Sequence, residues 1–146
     1  MVEDLQHEIR PARMSDAGVL AGLMGELGYP VTSGEVELRL RRLLGRDGAG
    51  VLVAVARSAA VGVCSYQLIQ SLERTQRRCR LTTLVVRADQ RRSGVARALV
   101  AEVEAVARHS DCFRLEVTTQ PTRDAALAFY AAVGFTDRPH RLIKAL

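Results

Sequence analysis

The chain has little cysteine, a single lysine and no long apolar run, and each shortage removes a class of protein. Cys64, Cys79 and Cys112 are odd in number, with no CxxC pair and no Cys/His spacing of the zinc-binding kind. Neither a disulfide framework nor a metal site is therefore expected. No apolar stretch approaches the roughly 18 residues that mark a membrane helix. Met1 to His7 carry Glu3 and Asp4 and lack the apolar core of a signal peptide. A cytoplasmic protein without a membrane partner is the expectation. Repeats, low-complexity tracts and linkers are missing too, so residues 1–146 are read as one domain, large enough to bury about 70% of its unfolded surface.

What is present is ordinary for a globular protein: 48% hydrophobic and 25% charged residues. The net charge of +5 and pI near 9.7 permit attraction to phosphates, anionic cofactors or nucleic acid. Of the 21 basic residues only Lys144 is a lysine. The arginines are scattered instead of forming a tail or block, which disfavours nucleic acid as the main partner.

Periodicity orders the chain. Glu8 to Arg13 reads as a strand, and Ser15-Asp16 as a helix start before Leu20, Leu23, Met24 and Leu27, a face that ends at Gly28-Tyr29-Pro30. Thr32 and Glu35 have capping-box spacing ahead of a second helix with Val36, Leu40, Leu43 and Leu44. Val51 to Ala56 and Ala60 to Ile69 form a predicted hairpin, joined across the polar segment Ser71 to Arg78 by a strand at Leu81 to Val86. Val95, Leu99, Val103 and Val106 then mark a third helix, and Phe113 to Thr119 a returning strand, which suggests parallel pairing through a crossover. Thr122 is placed to cap a last helix bearing Ala126, Phe129, Tyr130 and Val133, which Gly134 ends before two short strands around Phe135 and Leu142.

Between the strand at Leu84-Val85-Val86 and the third helix lies Arg91-Arg92-Ser93-Gly94-Val95-Ala96. A helix start has backbone N–H groups without intrahelical partners and the positive end of the peptide dipoles, so it suits an anion. Gly94 lets backbone approach a ligand closely, and Arg91, Arg92 and Arg97 add fixed charge. Neither GxGxxG nor GxxxxGK[ST] occurs, so the familiar dinucleotide and nucleotide loops do not fit.

The Arg91-x-x-Gly94-x-Ala96 loop after a strand, followed roughly thirty-five residues later by Ala126-x-x-Phe129-Tyr130-x-x-x-Gly134-Phe135, resembles the GCN5-related N-acetyltransferases. The likeness extends from the Ile9-Arg10-Pro11-Ala12 strand to the end of the chain, matched in the first half mainly by element order. It implies a mixed α/β fold, with a central, mostly antiparallel sheet, a β-α-β crossover and about four helices. It also implies acetyl-CoA as co-substrate and direct transfer of the acetyl group, through a ternary complex, to a primary amine of a small molecule or protein. By the same resemblance, Arg91, Arg92, Ser93, Gly94, Val95, Ala96 and Arg97 hold the pyrophosphate, while Leu84, Val85 and Val86 flank the pantetheine. Arg123, where the family often has asparagine, reaches a phosphate or the pantetheine. Homodimers are common in the family.

Tyr130 matches the family tyrosine assigned as general acid; its other reading is a core tyrosine beside Phe129. A phenol of pKa about 10 protonating a thiolate of conjugate-acid pKa about 8.5 is uphill by roughly 1.5 units, or about 2 kcal/mol. Many members carry a glutamate on the strand before the loop, where this chain has Thr82 and Thr83. A proton acceptor is then ordered water or a carboxylate elsewhere, with Glu116 the first candidate and Glu73 and Asp89 fainter ones. The missing glutamate keeps open a non-catalytic acyl-CoA-binding or regulatory module, and the charge a basic nucleic-acid-binding domain. Cys64 and Cys79 are expected to pack as small apolar residues, and His109 and His140 have no ligand spacing. The resemblance implies acceptor recognition by Gly28 to Ser33 and by Ser71 to Arg78, whose Arg74, Arg77 and Arg78 favour an acidic or phosphate-bearing acceptor if they line the site.

Overall fold

The computed structural model describes residues 7–119, 124–138 and 141–146. Strands β1 (His7–Pro11), β2 (Ala49–Ala56), β3 (Ala59–Ile69), β4 (Arg78–Val86) and β5 (Leu115–Val117) form one sheet in sequence order. β1 to β4 pair antiparallel, and β5 returns parallel to β4. The return runs through α3 (Val95–His109), and α1 (Ala17–Leu27), α2 (Ser33–Leu43) and α4 (Asp124–Ala132) are the other described α-helices. This is the predicted mixed fold with its crossover.

Alternation along the strands divides the interior into two cores. Val51, Val53, Val63 and Val85 face Leu20, Leu23, Val36 and Leu40 of α1 and α2. Leu52, Ala54, Cys64, Cys79 and Leu81 face Val95, Leu99, Val100 and Val103 of α3, with Phe129, Tyr130 and Phe135 at the margin. Both buried cysteines pack as expected. On α3 the innermost position after Val103 falls to Ala107 instead of the predicted Val106, as four-residue spacing along the buried face requires.

Local signals set the ends of the elements. Arg57 and Ser58, at φ 50° and 66°, make the two-residue turn of the β2–β3 hairpin. The predicted Thr32–Glu35 box is formed: Glu35 N–H donates to Thr32 Oγ1 at 3.1 Å and Thr32 N–H to Glu35 Oε1 at 3.0 Å, a cap worth about 1 kcal/mol. Asp16 acts less as a cap than as an anchor, because its carboxylate accepts two bonds of 2.9 Å from the Arg10 guanidinium and one of 2.7 Å from Arg13 N–H.

Two sequence expectations need correction. The strand predicted over Phe113 to Thr119 is only Leu115–Val117, and no strand occurs around Phe135 or Leu142 among the described residues. Phe135 is committed to ending α4: its N–H donates to Tyr130 O at 2.9 Å, and Gly134 N–H to Ala131 O at 3.1 Å. Gly134 takes φ 101°, completing a Schellman end in which the Phe135 and Tyr130 rings meet. Leu142 and Ile143 are exposed, with no strand partner.

Candidate active site

β4 and β5 are paired over three positions only, Cys79–Leu115, Arg80–Glu116 and Leu81–Val117. β4 then continues to Val86, bonded to β3 but not to β5. The strands therefore part beyond Leu81. An irregularity of the β3–β4 ladder lies at the same place: Ser65 stands opposite Thr83 and Tyr66 opposite Leu81, leaving Thr82 as the extra residue. A β-bulge increases local twist and redirects the strand, which favours the divergence.

The gap is a cavity of about 190 Å³. Its walls are Thr82, Thr83 and Leu84 on β4 and Val117, Thr118 and Thr119 on the opposite side. Leu27 and Tyr29, where α1 ends, and Ala126 and Tyr130 of α4 complete its lining. Of the three β4 residues expected beside the cofactor, Leu84 lines this cleft, whereas Val85 and Val86 send their side chains into the two cores.

Tyr130 is fixed by edge-to-face contacts with Phe129 and Phe135, at centroid distances of 5.2 and 5.4 Å. Burial pushes its pKa above the ordinary phenol value, with a smaller contribution from Cys64. The phenol is thus protonated at neutral pH and can only donate to a developing anion. The upward shift also widens the proton-transfer gap set out from reference values.

The Arg91–Ala96 segment turns through two left-handed residues, Arg92 at φ 62° and Gly94 at φ 88°. Gly94 is the N-cap of α3, where no side chain caps the helix, in contrast to the closed capping box of α2. A β-carbon at Gly94 would meet nothing within 4 Å. The first-turn amides of Val95, Ala96 and Arg97 have no i−4 carbonyl within the helix. Arg91, Arg92 and Ser93 are exposed, although Arg91 Nε also donates to Val86 O at 3.2 Å and the Ser93 hydroxyl to Gln90 O. Gly62, on β3, lies beneath the start of α3: a β-carbon there would stand 2.9 Å from Val95 Cγ1 and 3.3 Å from Leu99 Cδ1.

The candidate proton acceptors are dispersed. The Thr82 and Ser65 hydroxyls share a hydrogen bond of 2.7 Å. Glu116 does not line the cleft; its carboxylate meets Arg80 at 2.6 Å, Arg114 at 3.0 Å and Arg78 at 3.2 Å. Burial alone raises its pKa, but the Arg80 hydrogen bond and the charges of Arg80 and Arg114 outweigh burial and hold it below the usual carboxylate range. Asp89 pairs with Arg87 at 2.6 Å, and Glu73 lines a separate hollow with its loop neighbours Gln70 to Thr75.

Of the expected acceptor loops, the first contributes Tyr29 to the cleft, whereas the second does not border it. Arg74 lies over the Phe113 ring at 4.3 Å, and Arg77 faces Asp47 at 3.7 Å. Arg123, His140 and the expected cap Thr122 fall outside the described residues. Sequence reasoning overlooked Arg80, although its place between buried Cys79 and Leu81 was a usable alternation signal. It also missed Glu26, whose carboxylate accepts Ala88 N–H at 2.9 Å and ties α1 to the turn before the glycine loop. No periodicity signals a contact across 62 residues.

The sequence matches the profile of the acetyltransferase (GNAT) family over residues 18–135. No curated protein sequence matches it. Its fold is similar to that of a transcriptional regulator from Bacillus halodurans, with TM-score 0.87, 18% identity, and 96% of this chain and 99% of that one covered. A GNAT family acetyltransferase from Staphylococcus aureus superposes with TM-score 0.82 and 19% identity over 97% of this chain and 99% of that one. An aminoglycoside N-acetyltransferase in complex with CoA gives TM-score 0.83 and 19% identity over 96% and 94%. At these identities the structural likeness is one of fold.

Proposed function

The chain belongs to the acetyltransferase (GNAT) family, and on that premise we propose that it moves the acetyl group of acetyl-CoA directly to a primary amine. The observation that carries this reading is the parting of β4 from β5 beyond Leu81, beside an uncapped α3 start whose Gly94 has open space where a side chain would be. Among the described residues no strand pairs with the outer edge of β4 from Thr82 to Val86, so its backbone groups suit the amides of a pantetheine arm. The α3 amides, with Arg91, Arg92 and Arg97 about them, suit a pyrophosphate. Ser93, Val95 and Ala96 complete that cradle, and Arg123 remains a proposed contact to the same co-substrate.

The chemistry follows from the walls of the cleft. A neutral amine entering past Tyr29 attacks the thioester carbon beside Thr82 and Thr83. A β4 backbone N–H is suited to the oxyanion, a fixed dipole that needs no reorganisation as charge develops. Tyr130, protonated and held by two rings, donates to the departing sulfur. Its role is hydrogen bonding to the thiolate as much as full proton transfer, since burial makes it a weaker acid. Glu116, engaged by three arginines, is a poor base, and water held by the Thr82 and Ser65 hydroxyls is the proposed carrier of the amine proton.

Thiol release from acetyl-CoA over a panel of amines tests the proposal. Tyr130→Phe keeps the ring contacts and loses the donor, so release is expected to fall about a hundredfold, within the range for a positioned acid. Unchanged release would remove Tyr130 from the mechanism. Saturable binding without turnover on any amine would indicate the acyl-CoA-binding module instead.

A further inference from the structure

Arg78 and Arg80 alternate with Cys79 and Leu81, which are buried against the α3 core. Their side chains therefore emerge on the opposite face of the sheet. α1 and α2 cover that face at Val51, Val53, Val63 and Val85, but not at the start of β4, where Arg78 and Arg80 remain half-exposed. Glu116 belongs to the same face, between Leu115 and Val117, which pack on the α3 side. The register puts Gln67, Arg80 and Glu116 in one row across β3, β4 and β5.

That row crosses the sheet immediately before the strands part. Arg80 precedes cleft-lining Thr82 by two residues, about 7 Å along the strand. The guanidiniums of Arg78, Arg80 and Arg114 converge on the single carboxylate of Glu116, and the ion pairs of the described residues bring them no other carboxylate. The group has a net charge of +2. Among the described residues, Arg78 uses only Nε in these hydrogen bonds, so both its terminal nitrogens are left for another acceptor. Glu116 aligns the guanidiniums without neutralising them.

We propose that this arginine row is an anion subsite, and that the acceptor is an amine bearing a carboxylate or phosphate a few bonds from its nitrogen. With the acid group on Arg80 and Arg78, the amine reaches the mouth of the cleft at Thr82. The terminal nitrogens of Arg78 form a fork that matches both anions in geometry, Arg80, with Nε and Nη2 on Glu116, adds Nη1 and its charge, and the cluster repels polycationic acceptors such as aminoglycosides. This inference rests on the acetyl-transfer reading and names the substrate class at the same site.

The test is steady-state acetylation, at saturating acetyl-CoA, of three kinds of acceptor: ω-amino acids with O-phosphoethanolamine, amino alcohols of equal length, and the polycations spermidine and sisomicin. The acids are expected to show the highest kcat/KM. Arg80→Gln should raise KM for the acids about tenfold or more, the scale of a lost charge-assisted hydrogen bond, leaving kcat, the amino alcohols and the KM of acetyl-CoA little changed. Glu116→Gln keeps an amide oxygen that accepts from the guanidiniums and should lower KM for the acids by removing the competing negative charge. Equal KM changes for acids and alcohols would overturn the subsite, as would a raised acetyl-CoA KM in Arg80→Gln. Loss of kcat on every acceptor in Glu116→Gln would make Glu116 the base and overturn its aligning role. Acetylation of amino alcohols alone refutes only the anion subsite, whereas no acetylation of any amine refutes the reading on which it rests.

Discussion

Replacing Gly62 with alanine tests whether close approach of α3 to β3 sets the position of the glycine loop. A β-carbon at residue 62 would lie 2.9 Å from Val95 Cγ1 and 3.3 Å from Leu99 Cδ1. Carbon atoms pack best at about 3.5–4.0 Å, so α3 must retreat by roughly half an ångström or more. Val95 and Leu99 are 1% and 0% exposed. A helical valine is also confined to essentially one rotamer, so the strain passes to the backbone. Overpacking of this kind costs about 1–3 kcal/mol, and alanine in place of glycine in a strand returns about 0.5–1 kcal/mol. With the middle of each range, the expected net loss is about 1 kcal/mol, read by urea unfolding followed by circular dichroism. Because Val95 directly follows Gly94, the same shift disturbs the first-turn amides, and affinity for acetyl-CoA should fall several-fold. Stability equal to or above wild type would refute the packing argument, and unchanged affinity in a destabilised variant would refute the link to the loop.

Two further outcomes follow from burial and charge. Asp16 is held below the usual carboxylate range first by its Arg10 hydrogen bond, with burial opposing. The stability it adds is fully present above its unfolded pKa of about 3.9 and is lost as pH falls through the lower folded value. Asp16→Asn should therefore cost about 2 kcal/mol near neutrality, the scale of hydrogen bonds to a charged group, and flatten the decline below about pH 4; an unchanged acid profile would count against the pairing. Burial pushes the Cys64 and Cys79 thiols up to about 12. Iodoacetamide at pH 8 should thus label half-exposed Cys112 first, and the buried pair only in denaturant, as read by peptide mass spectrometry. Rapid labelling of Cys64 in the folded protein would contradict the packing described for the α3 core.

Much of this architecture was legible because the signals are local. Thr32 and Glu35 announced a cap that forms, Gly134 a helix end that forms, and the stripe from Val95 to Val103 a buried face that is buried. The misread positions depend on partners that residue type and periodicity do not reveal. Phe135 has the residue type of a strand position, yet its N–H donates to Tyr130 O, and the strand expected to run to Thr119 stops at Val117, because β4 and β5 cease to pair beyond Leu81. The same divergence creates the cleft, and no sequence period encodes it. For Glu116, residue type suggested a base, whereas the placement of three arginines across two strands decides its charge environment.

Isothermal titration of acetyl-CoA into the wild-type protein and into Gly94→Asp tests the central claim most directly, with circular dichroism confirming that both are folded. Asp tolerates a left-handed backbone at a cost of about 1–2 kcal/mol, and it sets a side chain and a negative charge into the open space over Gly94. The account predicts saturable one-to-one binding by the wild type and affinity weaker by at least about tenfold in the variant, the scale of a lost charge-assisted contact. Equal affinity in the two proteins, or no binding by the wild type, would contradict it.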